Sequence, residues 1–210
     1  MDNWPAAIKY LLENYAEHGA TAMEPDRERN LQDLVVFCLL VAIGVAGRWG
    51  QPEWCFTPIA AASLFAGMYF SRIGIALMVP IATLGISDLL LPPYNSIPVL
   101  LATYAIMMVP VWLGRTQRSE QSRWRAAAKW VLFGLVPATL FFIVTNFAVW
   151  AFQSDYANTL AGLGECYWKA VPFFRWMLTG DLFYLAVLLG CMAIAGAPRW
   201  NAEPAREVAK

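Results

Sequence analysis

Between Leu34 and Ala197 the chain carries six apolar runs with almost no charge inside them, and nothing constrains its fold more. They cover residues 34–46, 56–70, 73–91, 97–113, 130–152 and 173–197. Roughly 17–25 apolar residues in a helix match the hydrocarbon thickness of a bilayer, and lipid admits only spans whose backbone groups bond internally. Only 14% of the 210 residues are charged and 59% are hydrophobic, whereas an ordinary soluble domain carries about 25% charged residues. The prediction is an all-α integral membrane protein, a six-helix bundle. Pro80, Pro110 and Pro137 fall inside the third, fourth and fifth runs. Bundled membrane helices tolerate this because neighbouring groups re-satisfy the freed carbonyl. The short run 56–70, rich in small residues, fits a helix tucked inside the bundle or a re-entrant segment as well as a full span.

Basic residues set the orientation, because positively charged short loops stay cytoplasmic. With the N-terminus inside, twelve of the fifteen Lys and Arg residues fall on the inner side. Arg115, Arg118, Arg123, Arg125 and Lys129 all lie between the fourth and fifth runs; the outer side keeps only Arg48, Lys169 and Arg175. Both termini are therefore expected in the cytoplasm of a multi-pass inner (cell) membrane protein. The expected organisation is a cytoplasmic segment at 1–33 with a short amphipathic helix, a transmembrane domain at 34–197 and a cytoplasmic tail at 198–210. Residues 1–33 lack the basic start of a signal peptide. Asn3 can cap a helix that begins at Trp4–Pro5, and "ATAMEPDRERN" (20–30) reads as a polar hinge. Zero net charge points to no nucleic-acid partner.

The polar side chains are distributed unevenly. In this orientation Asp88, Asn146 and Asp181 fall in the outer third of three different spans, and the inner halves hold almost nothing comparable. Acids inside a membrane mark functional sites by default, since their burial costs several kcal/mol unless it is compensated. Trp150 shares a helix face with Asn146, and the segment 153–176 above them contributes Tyr167, Lys169 and Arg175. Aromatic walls with a few convergent polar groups are the usual form of a small-molecule pocket. Structural readings stand beside this one: aspartates that cap helices or pair with Arg175 or Lys169, Asn146 as interhelical glue, and Trp and Tyr as interface anchors.

Cys55 and Cys166 lie on outer segments, where an oxidising compartment permits a disulfide; Cys38 and Cys191 read as small apolar residues. No Cys-x-x-Cys pair, phosphate-binding loop, metalloprotease motif or histidine cluster occurs, so neither metal nor cofactor is expected. Ala42 and Ala46 have the small-x-x-x-small spacing that lets helices approach closely.

The segments "FTPIAAASLFAG" (56–67), "VPIATLGISDLLL" (79–91), "TNFAVWAF" (145–152), "CYWKAVPFF" (166–174) and "GDLFYLAVLLG" (180–190) resemble an uncharacterised bacterial family of candidate transport proteins. That family is in turn similar to the substrate-binding S components of energy-coupling-factor vitamin transporters. The resemblance spans about residues 34–197. It implies a bundle that captures a vitamin-like molecule from outside through the loops "GRWGQPEWC", "LPPYNS" and 153–172, which adds Asn95 to the candidates beside Tyr167 and Lys169. It also implies a membrane coupling subunit with ATPase subunits, docked through Ala-x-x-x-Ala; Ala42 and Ala46 have that spacing nearer the outer end. Two other functions remain open: a non-transporting membrane scaffold, and an intramembrane aspartyl-type enzyme. The enzyme expects Gly-x-Gly-Asp, where this chain has Leu178-Thr179-Gly180-Asp181.

Overall fold

The computed structural model describes the backbone of residues 6–117 and 123–194 and the side chains of 27–117 and 129–191. The tail at 198–210 and the cap at Asn3 lie outside these. Among the described residues the chain is all-α. Its helices are α1 (Ala6–Trp49), α2 (Ile59–Tyr69), α3 (Ile73–Ser87), α4 (Ile97–Ile106), α5 (Val109–Gln117), α6 (Arg123–Phe152) and α7 (Leu160–Ile194). Counting α4 and α5 as one broken helix leaves six, matched to the six apolar runs. Four stretches are long and apolar enough to cross a membrane: Arg27–Trp49, Ile97–Gln117, Lys129–Phe152 and Leu160–Cys191. Helices α2 and α3 are apolar but shorter.

The chain divides into two compact units, Met1–Leu39 and Leu40–Lys210. In the first, helix continues without a break through residues 20–30, where the sequence predicts a hinge. The second unit holds all the remaining helices and every feature of the site below. Its surface is inverted relative to a soluble protein: Leu132, Phe147 and Phe183 are each at least half exposed, at 51%, 50% and 52%. Large apolar side chains exposed in such numbers mark a surface whose solvent is hydrocarbon.

The short helix α2 forms the centre. Nine of its residues are buried, and it packs against α3, α5 and α7. Small side chains make this possible. A Cβ built on Gly67 would come within 2.0 Å of the Val111 carbonyl oxygen, and one on Gly114 within 2.0 Å of the Leu64 carbonyl oxygen. Helices α2 and α5 therefore touch backbone to backbone. The break between α4 and α5 follows from Pro110, which has no N–H to donate and whose ring clashes with the carbonyl four residues earlier.

The segment 153–172, expected as a long outer loop, is helical from Leu160 onward, so only about half a dozen residues link α6 to α7. Thr159 provides the start: its hydroxyl accepts from the Gly162 N–H at 3.1 Å, a capping bond that satisfies one of the donors orphaned at a helix N-terminus.

Candidate functional site

The C-terminal ends of α1 and α3 are joined by side chains from Arg48 and Trp49. The Arg48 guanidinium donates to the Asp88 carboxylate Oδ1, to Ser87 Oγ at 2.6 Å and to the Tyr94 hydroxyl at 3.1 Å. Trp49 Nε1 donates to the Ser87 carbonyl at 3.0 Å. The other Asp88 oxygen accepts from the Tyr104 hydroxyl on α4 at 2.9 Å. An acid at a helix C-terminus faces the negative end of the helix dipole, so Asp88 needs the cation that α1 brings. Burial pushes the Tyr94 phenol above its ordinary range, which keeps it a neutral hydroxyl that can accept from Arg48. One acid, one base and two phenols thus form a satisfied, charge-neutral knot.

Beside this knot lies an open cavity of about 260 Å³. Its walls come from Arg48, the 51–57 loop (Gln51, Trp54, Cys55, Thr57), the start of α2 (Ile59, Ala60), Leu84 of α3, residues 91–94, Thr103 and Met107 on the fourth helix, Phe141 of α6, and Met177 and Asp181 of α7. Arg48 and Asp181 are its two charged lining residues. Gly180 determines where Asp181 sits. A Cβ there would lie 3.0 Å from the Phe56 Cα and 3.2 Å from the Thr57 nitrogen, so α7 can approach the 56–57 backbone closely only at a glycine. The Phe56 ring, 5.7 Å from Phe183 and 5.5 Å from Tyr184, holds that contact from the side. Asp181 itself is only 6% exposed. Among the described residues nothing donates a hydrogen bond to it or pairs with its charge.

All four cysteines are free, so Cys55 and Cys166, for which the sequence allowed a bridge, are not bonded to each other. The reason is that Cys166 belongs to α7 rather than to a loop. It is buried, and its thiol donates to the Asn146 carbonyl at 3.5 Å. Cys55 instead sits in the cavity wall, with a left-handed backbone at φ 72°. Burial pushes its thiol from 9.0 up to about 11, with Arg48 opposing the rise and Asp181 adding to it. A raised thiol pKa means less thiolate at any pH below it. At pH 8 Cys55 is expected to react with iodoacetamide about a hundredfold more slowly in the native protein than after denaturation. The native rate should still climb about tenfold per pH unit up to pH 10. Alkylation of the Cys55 peptide followed by mass spectrometry reads this, and a native rate that levels off near pH 9 contradicts it.

The other sequence candidates fall in different places. Asp88 stands behind the cavity and reaches it through Arg48. Asn95 neighbours the lining residue Tyr94 without lining the cavity itself. Asn146 donates to the Phe142 carbonyl of its own helix at 2.7 Å, and Trp150 donates to the Ala157 carbonyl at 3.0 Å, which closes the α6–α7 turn. Tyr167 donates to the Ile143 carbonyl at 2.8 Å and so ties α7 to α6. Lys169 pairs with Glu165 at 2.6 Å on an exposed face, and Arg175 lies 5.3 Å from the Trp176 ring centroid. Ala42 and Ala46 are exposed on α1. Of the three expected converging groups, Asp181 lines the cavity and Asp88 borders it, while Asn146 is spent on its own helix. Sequence reasoning missed Arg48, although one signal was present: it is one of three basic residues on the side that otherwise lacks them.

A model for a family of unknown function (DUF6580) matches residues 28–204 of the chain. No curated protein and no solved structure matches it.

Proposed function

The chain belongs to the DUF6580 family, and for this member we propose a substrate-binding membrane component of a small-molecule uptake transporter, with its site open to the extracytoplasmic side. The observation that carries this is the unpaired carboxylate of Asp181, lining an open cavity where a helical bundle could have packed apolar side chains instead. Burying such a group without a partner is costly, and a bound molecule that supplies the partner accounts for keeping it. The side follows from charge. The cavity lies where α1 and α3 end and α4 begins, whereas α5 ends at Gln117 and α6 begins at Arg123, either side of the most basic stretch of the sequence. With that basic segment in the cytoplasm of the inner membrane, the cavity faces out.

In the scheme that S components exemplify, a membrane coupling subunit and its ATPases would drive uptake, and exposed Ala42 and Ala46 offer the small-residue face for it. A scaffold role is less well supported, because a scaffold has no use for an open cavity with an unpaired acid. An aspartyl enzyme needs two carboxylates that share a proton, and here both Asp88 oxygens are already engaged by Arg48 and Tyr104.

The test uses the full-length protein purified from membranes and reconstituted in nanodiscs. Native mass spectrometry of the wild type is expected to show a small molecule that is released on denaturation, and Ala60→Leu, which fills the cavity from α2, is expected to abolish it. An impermeant maleimide should label Glu53→Cys, made in a Cys-free background, in intact cells. An empty wild type that gains no stability from any small solute, or labelling only after lysis, argues against the proposal.

A further inference from the structure

We propose that the cavity selects a compact organic cation, a ring carrying a protonated amine, amidine or ring nitrogen, that places its positive N–H donors on Asp181. This rests on the reading of the cavity as a substrate site and adds the charge and size of the substrate.

The charge follows from which groups are already satisfied. Arg48 is the cavity's cation, but its charge is matched by Asp88, and its N–H groups also serve Ser87 and Tyr94. An anionic ligand would have to compete with that knot. Asp181 has no such partner, is 6% exposed, and lies among Cys55, Thr57 and Met177, which bring no countercharge. With Asp181 ionised by a cationic partner, the lining together with Asp88 has one negative charge that only the ligand can balance. A carboxylate accepts through two oxygens and donates nothing when ionised, so its complement is a ligand with charged N–H donors, the strong class of hydrogen bond. The aromatic lining agrees with this. Trp54, Tyr94 and Phe141 line the cavity, and aromatic rings attract cations over their faces.

Size follows from volume. An apolar protein cavity of ~150 Å³ holds benzene, so about 260 Å³ accommodates one substituted ring or a small fused pair. Larger ligands would have to project past Trp54, which is 58% exposed at the rim.

Three isosteric probes isolate charge from shape: benzamidinium, benzamide and benzoate, each titrated into the full-length protein in nanodiscs with tryptophan fluorescence and thermal shift as readouts. Benzamidinium is expected to bind at least about tenfold more tightly than benzamide, the scale of one charge-assisted hydrogen bond, and benzoate more weakly than either. Asp181→Asn keeps the shape and removes the charge, and is expected to bring benzamidinium and benzamide within about threefold of each other. Equal binding of the three by the wild type, or a cation preference that survives Asp181→Asn, overturns the inference while leaving a ligand cavity in place. Benzoate as the tightest binder overturns it in favour of Arg48 as the anchor. Absence of binding by all three counts against the cation and, together with an empty protein in the mass spectrum, against the transport reading itself. The wild-type ranking alone decides the matter should Asp181→Asn fail to fold.

Discussion

Gly67→Ala is expected to be among the most damaging single substitutions in this protein, although it adds one methyl group. That methyl would lie 2.0 Å from the Val111 carbonyl oxygen and 2.8 Å from its carbon. Both are backbone atoms, which cannot rotate away as a side-chain tip can. Helices α2 and α5 must separate, and α2 takes with it the packing of α3 and α7, since all three rest on it. Overpacking a core commonly costs about 1–3 kcal/mol, and a forced backbone displacement belongs at or above the upper end. A loss of ~3 kcal/mol corresponds to roughly 6–12 °C in melting temperature for a chain of this length. Gly114→Ala meets the Leu64 carbonyl oxygen at the same 2.0 Å from the opposite helix. The double variant is therefore expected to cost less than the two singles together, because one separation relieves both overlaps. Gly74→Ala is the control. Nothing lies within 4 Å of its Cβ, and replacing glycine by alanine inside a helix is neutral or favourable by up to about 1 kcal/mol. Thermal unfolding followed by fluorescence-detected gel filtration measures all four. A Gly67→Ala protein that melts with the wild type removes the case for backbone contact between α2 and α5.

This contact also indicates what could be read from the sequence. The short, small-residue run 56–70 allowed a full span, a re-entrant segment or a helix held inside the bundle, and the sequence did not choose among them. Helix α2 is the last of these. Helix α7 was less legible. Gly162, Gly164 and the polar residues near them read as loop, but the cap at Thr159 and continuous packing against α6 override a local preference worth about 1 kcal/mol per glycine. The site was legible in part. Depth in the membrane singled out Asp88 and Asp181, because an acid in that position needs an explanation whatever the fold. Depth carries no information about rotation around the helix axis, however. Asn146 shared the depth of Asp181 and yet returns its amide to the Phe142 carbonyl. Tyr167 and Lys169 similarly turned out to serve α7 once their segment became helical. Arg48 was hidden for the opposite reason. A basic residue beside a span is usually weighed only as topology, and its pairing with a residue forty positions away belongs to the tertiary structure.

Opening the Arg48–Asp88 pair is expected to change selectivity in opposite directions depending on which partner is removed. Asp88→Asn leaves the guanidinium lining the cavity with its charge unmatched, and the cavity as a whole becomes neutral. Benzoate should then gain about tenfold relative to benzamidinium, the effect of one uncovered charge at close range. Arg48→Met removes the cation and leaves Asp88, behind the cavity, with Tyr104 as its remaining donor. Two acids then bear on the site, and benzamidinium should gain instead, with benzoate excluded. Both variants should be destabilised by roughly 2–4 kcal/mol, somewhat below the loss on breaking a fully buried pair, since the two side chains retain 15% and 22% exposure. The double variant Arg48→Met/Asp88→Leu removes both charges together, so its cost should fall short of the sum of the singles. Its ligand preference should return to the wild-type ranking, because Asp181 is again the sole net charge. Melting temperatures alone cannot separate a functional pair from a structural one, since either role predicts destabilisation. The crossed selectivity can. A purely structural pair would weaken all three ligands together in both variants, and that result would place the knot outside the site and leave Asp181 alone in it.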